Sequence, residues 1–259
     1  MKKNSHYYIR KSHRYLGLFI GIQFLLWTVG GLYFSWSELD EIHGDHLTKR
    51  ATGIPLLADL VSPQRVLEKL KQARPVDSLR SLQLIQVLDT PVYQISYYTL
   101  SDGQAVAKTQ LASAITGDLR PPLSQPEAVR IAQNVFSGPS QVGHADYLEV
   151  TGPHHEYRGK SLPAWAIRFE HPSRATVYIA AELGTFQSIR HERWRIFDFL
   201  WMLHTMDYAG RDNFNNLLLR SFSVLGLITL LSGFTLYYIS SPTVRKLNRR
   251  RRVLNTNQS

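Results

Sequence analysis

A chain of 259 residues without a single cysteine cannot carry a disulfide, a thiolate metal site, a thiol nucleophile or covalently attached haem. Its formal charge of +10 does not read as a nucleic-acid footprint, because the excess bases lie outside the region long enough to fold as a domain. All 20 Asp and Glu fall between Glu38 and Asp212 together with 18 of the 30 Lys and Arg, and the remaining bases lie toward the two ends.

In chain order, Lys2, Lys3, Arg10, Lys11 and Arg14 precede a stretch, Tyr15 to Trp36, that holds no charged side chain. Roughly 20 mostly apolar residues suffice to cross a bilayer. Residues 15–36 are therefore predicted as a transmembrane helix behind a cytoplasmic segment 1–14. Its far end, Gly30-Gly31-Leu32-Tyr33-Phe34-Ser35-Trp36, lacks the small-residue cleavage pattern of a secretory signal, so the segment reads as a retained anchor. Residues 37–61 are an outer linker. Two modules are predicted over 62–123 and 124–192, then a membrane-proximal helix and loop over 193–214. A second membrane helix is predicted over 215–240, with a basic tail 241–259 containing Arg245, Lys246 and Arg249 to Arg252. Bases flanking membrane helices stay in the cytoplasm while a long domain crosses regardless of charge. Both ends are thus expected inside and the middle outside. The tail can also meet anionic lipid headgroups.

The middle reads as a repeat. Ser62-Pro63-Gln64 and Ser124-Gln125-Pro126 each pair a capping serine with a proline in the first helical turn. A strand-like run follows in each copy, Leu82 to Leu88 and Tyr147 to Thr151. A proline then introduces an alternating strand, with Tyr93, Ile95 and Tyr97 on one face in the first copy and Trp165, Ile167 and Phe169 in the second. Another strand leads to a turn glycine, Gly117 or Gly184, which closes each copy. The fold class is therefore α+β: two transmembrane helices flank a tandem of two helix-plus-antiparallel-sheet modules.

Four histidines occupy suggestive places. His13, Gly17 and Gly21 recur every four residues and share one helical stripe. Glycines at this spacing let a helix or a flat ring approach closely. His13 is either an axial haem ligand on that stripe or an imidazole among headgroups beside Arg10, Lys11 and Arg14. His43 and His46 lie among carboxylates just past the first helix, as a candidate site for a hard or borderline divalent metal or as a solvated loop. His204 shares a helical face with Phe197, Leu200 and Trp201. It fits either a haem pocket or an interfacial helix. The first helix separates His13 from His43 by about a bilayer thickness at 1.5 Å per residue. His204 would pair with His43 or His46, and His13 with another subunit, so haem binding implies an oligomer. No G-x-S-x-G elbow, H-E-x-x-H motif or phosphate-binding glycine loop is present. His191-Glu192-Arg193 reads as a surface hinge.

The helix, strand, "VYQI" or "WAIRF" strand and glycine-turn order resembles the PepSY module. His13-Arg14-Tyr15-Leu16-Gly17 resembles the opening of PepSY-associated transmembrane proteins. Trp201-Met202-Leu203-His204-Thr205, Gly210-Arg211 and Leu231-Ser232-Gly233-Phe234 resemble the segment before and within that family's second helix. Two departures stand out: Leu183-Gly184 replaces a Thr-Gly pair, and Met206 stands near a motif glycine. Larger members add membrane helices that are absent here. The resemblance implies a bacterial inner-membrane protein associated with iron or siderophore uptake. It would bind noncovalent haem (haem b) through His13, His204, His43 and His46, and work with a redox partner. PepSY modules elsewhere occur in peptidase propeptides, which implies the alternative of a membrane-anchored binding module that grips a peptidase or an envelope partner, or an assembly subunit of a larger complex. Whether the chain is an enzyme stays open.

Overall fold

The computed structural model describes residues 5–49, 53, 59–139 and 141–244. Lys2, Lys3 and the basic tail from Arg245 onward lie outside the described residues, as does part of the linker. The chain divides into two compact units, Met1–Trp36 with Asp198–Ser259, and Ser37–Phe197.

The first unit is helical. It holds α1 (Ser5–Trp36), α6 (Leu217–Ser240) and the end of α5 (Glu192–Thr205). Both α1 and α6 are long and apolar enough to cross a membrane. Leu18, Ile22 and Leu25 on α1, and Leu227 and Phe234 on α6, expose 60% or more of their surface. Apolar helix faces of this extent require cover by lipid or protein. The two helices meet where small residues admit large ones. The Phe24 ring comes within 3.0 Å of the place a Cβ would occupy at Gly226, and Phe19 packs on Phe222 with ring centroids 5.3 Å apart.

The second unit contains the repeat. After a short helix α2 (Leu39–His43) come α3 (Pro63–Ala73) and the strands β1 (Ser78–Val87), β2 (Thr90–Ser101), β3 (Gln104–Ser113) and β4 (Leu119–Arg120). Then follow α4 (Gln125–Val135), β5 (Val142–Leu148), β6 (Ala164–Phe169), β7 (Thr176–Ala180) and β8 (Thr185–Arg190). Each group of four strands is an antiparallel sheet in chain order. The expected helix-plus-sheet module, made twice, is what the chain folds into. Two details differ from expectation: the strand expected over Tyr147 to Thr151 is β5, Val142–Leu148, and the turn glycines do not close the copies, because a fourth strand follows each.

The copies share a set of bonds around the helix entry. Tyr93 Oη donates to the Val61 carbonyl at 2.8 Å, and Trp165 Nε1 donates to the Leu123 carbonyl at 2.8 Å. Val61 and Leu123 each directly precede the helix-capping serine. Their own N–H groups donate to the carbonyls of Ala114 and Ala181, both at 2.9 Å. The N–H groups of those alanines donate in turn to the carbonyls of Pro91 and Pro163. The glycine turns also agree: Gly117 donates to Ser113 and Gly184 to Ala180, with φ of +74° and +71°. Each aromatic side chain thus clamps the start of its module's helix to the sheet.

Packing follows the pattern of the sequence. Val66 and Leu70, one helical turn apart, bury against Tyr93, Ile95 and Tyr97 in the first module. Ala128, Ile131 and Ala132 bury against Ile167, Phe169 and Val177 in the second. That second core also takes Val87, Val92 and Leu111 from the first module, so the two modules share apolar packing. Every residue of β7 is buried because the segment between β5 and β6 covers its other face, where Tyr157 stacks on Tyr178 with centroids 4.7 Å apart. Removing the indole at position 165 deletes packing and the donor to Leu123. Trp165→Ala is expected to cost about 3–5 kcal/mol, read as a lower urea midpoint and faster proteolysis at Lys and Arg of the second module. An unchanged midpoint would contradict the clamp.

Candidate functional site

Within the helical unit, His13 lies in the seam between α1 and α6. Its Nδ1 is 2.7 Å from Ser232 Oγ, and its Cε1 is 3.2 Å from the Cβ position of Gly233. Gly17 and Gly21 have nothing within 4 Å of their Cβ positions, so the rest of the stripe is open. Ser232 is 15 residues from the start of α6, about 22 Å at 1.5 Å per residue. The same rise along α1 from His13 reaches the neighbourhood of Thr28. The end of α5 takes over beside this later part of α1. Its terminal carbonyls at Leu203 and His204 accept hydrogen bonds from Gln23 Nε2 and Trp27 Nε1, at 2.9 and 3.0 Å. The Thr205 carbonyl accepts from Asn216 Nδ2 at 2.9 Å. Side chains thereby satisfy groups that a helix end leaves open.

The His204 ring sits among Trp27, Phe34 and Trp201, with centroids 5.9, 5.9 and 6.3 Å away. Its Nδ1 is buried without a hydrogen-bond partner. The turn after it satisfies itself. Asp207 accepts from the N–H groups of Ala209, Gly210 and Asn213. Arg211 pairs with Asp198, whose side chain is 4% exposed. Met206 takes φ +53°, a left-handed conformation that favours glycine. This polar turn was not legible from composition, because Asp198 and Arg211 are 13 residues apart and meet only through the turn.

In the second unit, His43 is exposed, and His46 is exposed with its ring 5.6 Å from that of His191. His191 is not on a surface hinge. It is 2% exposed, and its Nε2 is 2.9 Å from the Glu41 carbonyl. The expectation failed because α2 folds back on β8 and covers the ring, a contact between residues 150 apart in sequence. Among the described residues no three His, Asp or Glu side chains gather as a metal site. Burial disfavours the imidazolium of His191 and lowers its pKa, against the raising effect of the bond to Glu41.

A second cluster, which the sequence reading missed, links the β5–β6 segment to α5. Arg195 donates through Nε and Nη2 to the Glu156 carboxylate at 2.6 and 3.0 Å, and Tyr178 Oη donates to it at 2.6 Å. Burial alone would raise the pKa of Glu156, but the bonds from Arg195 and Tyr178 outweigh it and hold the pKa below its ordinary value. Beside this cluster the Arg190 guanidinium lies 4.1 Å from the Trp194 ring centroid.

Among the described residues of this unit a cleft runs along β3. Two hollows of about 300 Å³ flank the strand, and Ala107, Lys108, Thr109 and Glu182 line both. Arg74 and Arg120 reach the first and Arg80 the second. Arg120 is committed to Glu127, which also accepts from the Ser124 N–H and hydroxyl.

Comparison of the chain with family models, with curated proteins and with solved structures gives no match in any of the three.

Two outcomes follow from these contacts. His191 and Glu156 both have lowered pKa values in the folded chain, so each contributes stability at high pH that is lost on acidification. Unfolding midpoints should begin to fall as pH drops through the ordinary histidine value of 6.5 and fall further below the ordinary glutamate value of 4.5. His191→Phe should flatten the first arm and leave the second. Arg211→Ala strands a buried carboxylate and should cost about 3–5 kcal/mol. Arg211→Ala combined with Asp198→Asn should recover part of that loss in the same urea titration.

Proposed function

We propose that this chain is a membrane-anchored binding protein. The helices α1 and α6 hold it in a bacterial cytoplasmic membrane with both ends inside. The paired modules are displayed on the outer side, where they grip an envelope partner such as a peptidase. The observation that carries this reading is the cleft along β3, where two hollows and uncommitted cations border a single strand. The resemblance to PepSY modules supports the same role. The charge pattern supports the orientation, since the acidic residues are confined to the middle of the chain.

The test has two parts. A reporter joined after Ser259 should score as cytoplasmic, and one inserted between Pro153 and Lys160 as outside. Photo-crosslinking side chains placed across the exposed faces of both modules in living cells should give a discrete adduct. Reversed reporters, or no adduct from any position, would overturn the reading.

A second reading, haem-dependent electron transfer serving iron or siderophore uptake, is favoured by one observation, the buried and unpartnered Nδ1 of His204. Aromatic rings crowd His204, and the Nδ1 of His13 is engaged by Ser232. This reading therefore needs a second copy. Hemin titration of the purified protein separates the two readings. The binding reading predicts no Soret shift; a shift lost in His204→Ala would put haem first.

A further inference from the structure

The two modules differ at their fourth strand. In the second module β8 runs along β7 from Ala180 to Thr176. In the first module β4 pairs with β3 only at Leu111 and Ala112. The cause is in the sequence: Pro121 and Pro122 follow Arg120, and neither can donate to a ladder. From Gln104 to Gln110 the outer side of β3 has no strand partner among the described residues.

The register shows which backbone groups this leaves open. The β2–β3 hairpin turns through two residues, Asp102 and Gly103, both with positive φ. Such a turn makes the flanking Ser101 and Gln104 a hydrogen-bonded pair. Antiparallel alternation then turns the N–H and C=O groups of Ala105, Ala107 and Thr109 away from β2. Leu111 is next in that series, and it is where β4 does pair. The other long edge strands, β1, β5 and β8, each carry a register irregularity, at Leu79/Ser81, Val142/His144 and Phe186/Ser188. Such bulges protect an edge from pairing. The β2–β3 ladder has none over its whole length, so the open edge of β3 is regular.

We infer that β3 accepts an extended acidic segment of a partner protein as an added strand, in the place that β8 fills in the second module. This deepens the binding reading and rests on it. Alternate side chains of an added strand point to opposite faces. Here one face meets the hollow with Arg74 and the other the hollow with Arg80, while Lys108 lines both. All three cations are exposed, and among the described residues no side-chain hydrogen bond or ion pair engages their charged ends. They outnumber Glu182, the one acid among the described residues that line the cleft. Backbone bonds from Ala105, Ala107 and Thr109 would supply affinity, and the cations would select acidic side chains.

The test uses the full-length protein in detergent micelles and labelled ten-residue peptides of alternating Glu and Val or alternating Lys and Val. The Glu peptide should bind, and the Lys peptide should bind at least about tenfold more weakly. Ala107→Pro removes an outward donor and blocks the edge without breaking a bond to β2, so it should weaken the Glu peptide about tenfold or more. Lys108→Glu, an exposed change that leaves the backbone alone, should weaken it and reduce its salt dependence. Circular dichroism of both variants should match the parent. Equal affinity for the two peptides, no binding of either, or unchanged binding by both variants would overturn the edge site. An in-cell crosslinked partner still captured by Ala107→Pro and Lys108→Glu would also overturn it, while leaving the binding reading standing.

Discussion

The paired modules depend on one repeated constraint: an aromatic side chain on the second strand holds the carbonyl of the residue just before a helix. Tyr93 does this to Val61 and Trp165 to Leu123. The bond fixes where the helix begins relative to the sheet, and the neighbouring N–H of Val61 or Leu123 ties the same point to the strand that precedes the glycine turn. With the entry fixed, the apolar stripe of each helix has one way to lie on its sheet. A residue with a ring and a donor is needed, since an aliphatic side chain would fill the core but leave the carbonyl without its partner. Tyrosine fills this role in one copy and tryptophan in the other, so the two keep one geometry with different residues.

From that common frame the two modules depart in opposite directions. The second is closed. Its sheet is covered on one face by α4 and on the other by the β5–β6 segment, with Glu156 drawing Tyr178 and Arg195 together. The first stays open, because two prolines stop its fourth strand after two residues. A regular uncovered edge is a hazard in a soluble domain. Its retention beside two hollows and uncommitted cations is what gives the binding reading its physical content.

Much of this was legible in the sequence. The serine and proline helix starts, the alternation of Tyr93, Ile95 and Tyr97, and the glycine turns led to the doubled module because they are local signals. The helices α1 and α6 were legible from length and apolarity alone. What escaped was long-range. The burial of His191 depends on α2 folding back to bring Glu41 against it. The Asp198–Arg211 pair depends on the turn between α5 and α6. The all-buried β7 shows no alternation, since both of its faces are covered, and pattern alone does not separate such a strand from other apolar runs. The candidate ligands show the same limit. Sequence placed His13 on a glycine stripe, but it could not show that Ser232 of the other helix would engage the imidazole.

Amide hydrogen exchange on the full-length protein tests the central claim most directly, because it reads the β3 edge residue by residue. In the absence of a partner, the amides of Ala105, Ala107 and Thr109 should exchange quickly, while those of Val106, Lys108 and Gln110 are protected by β2. The amides of β7 should all be protected, since β6 and β8 flank it. Uniform protection along β3 from Ala105 to Gln110 would contradict the account, for it would mean that the edge is already filled.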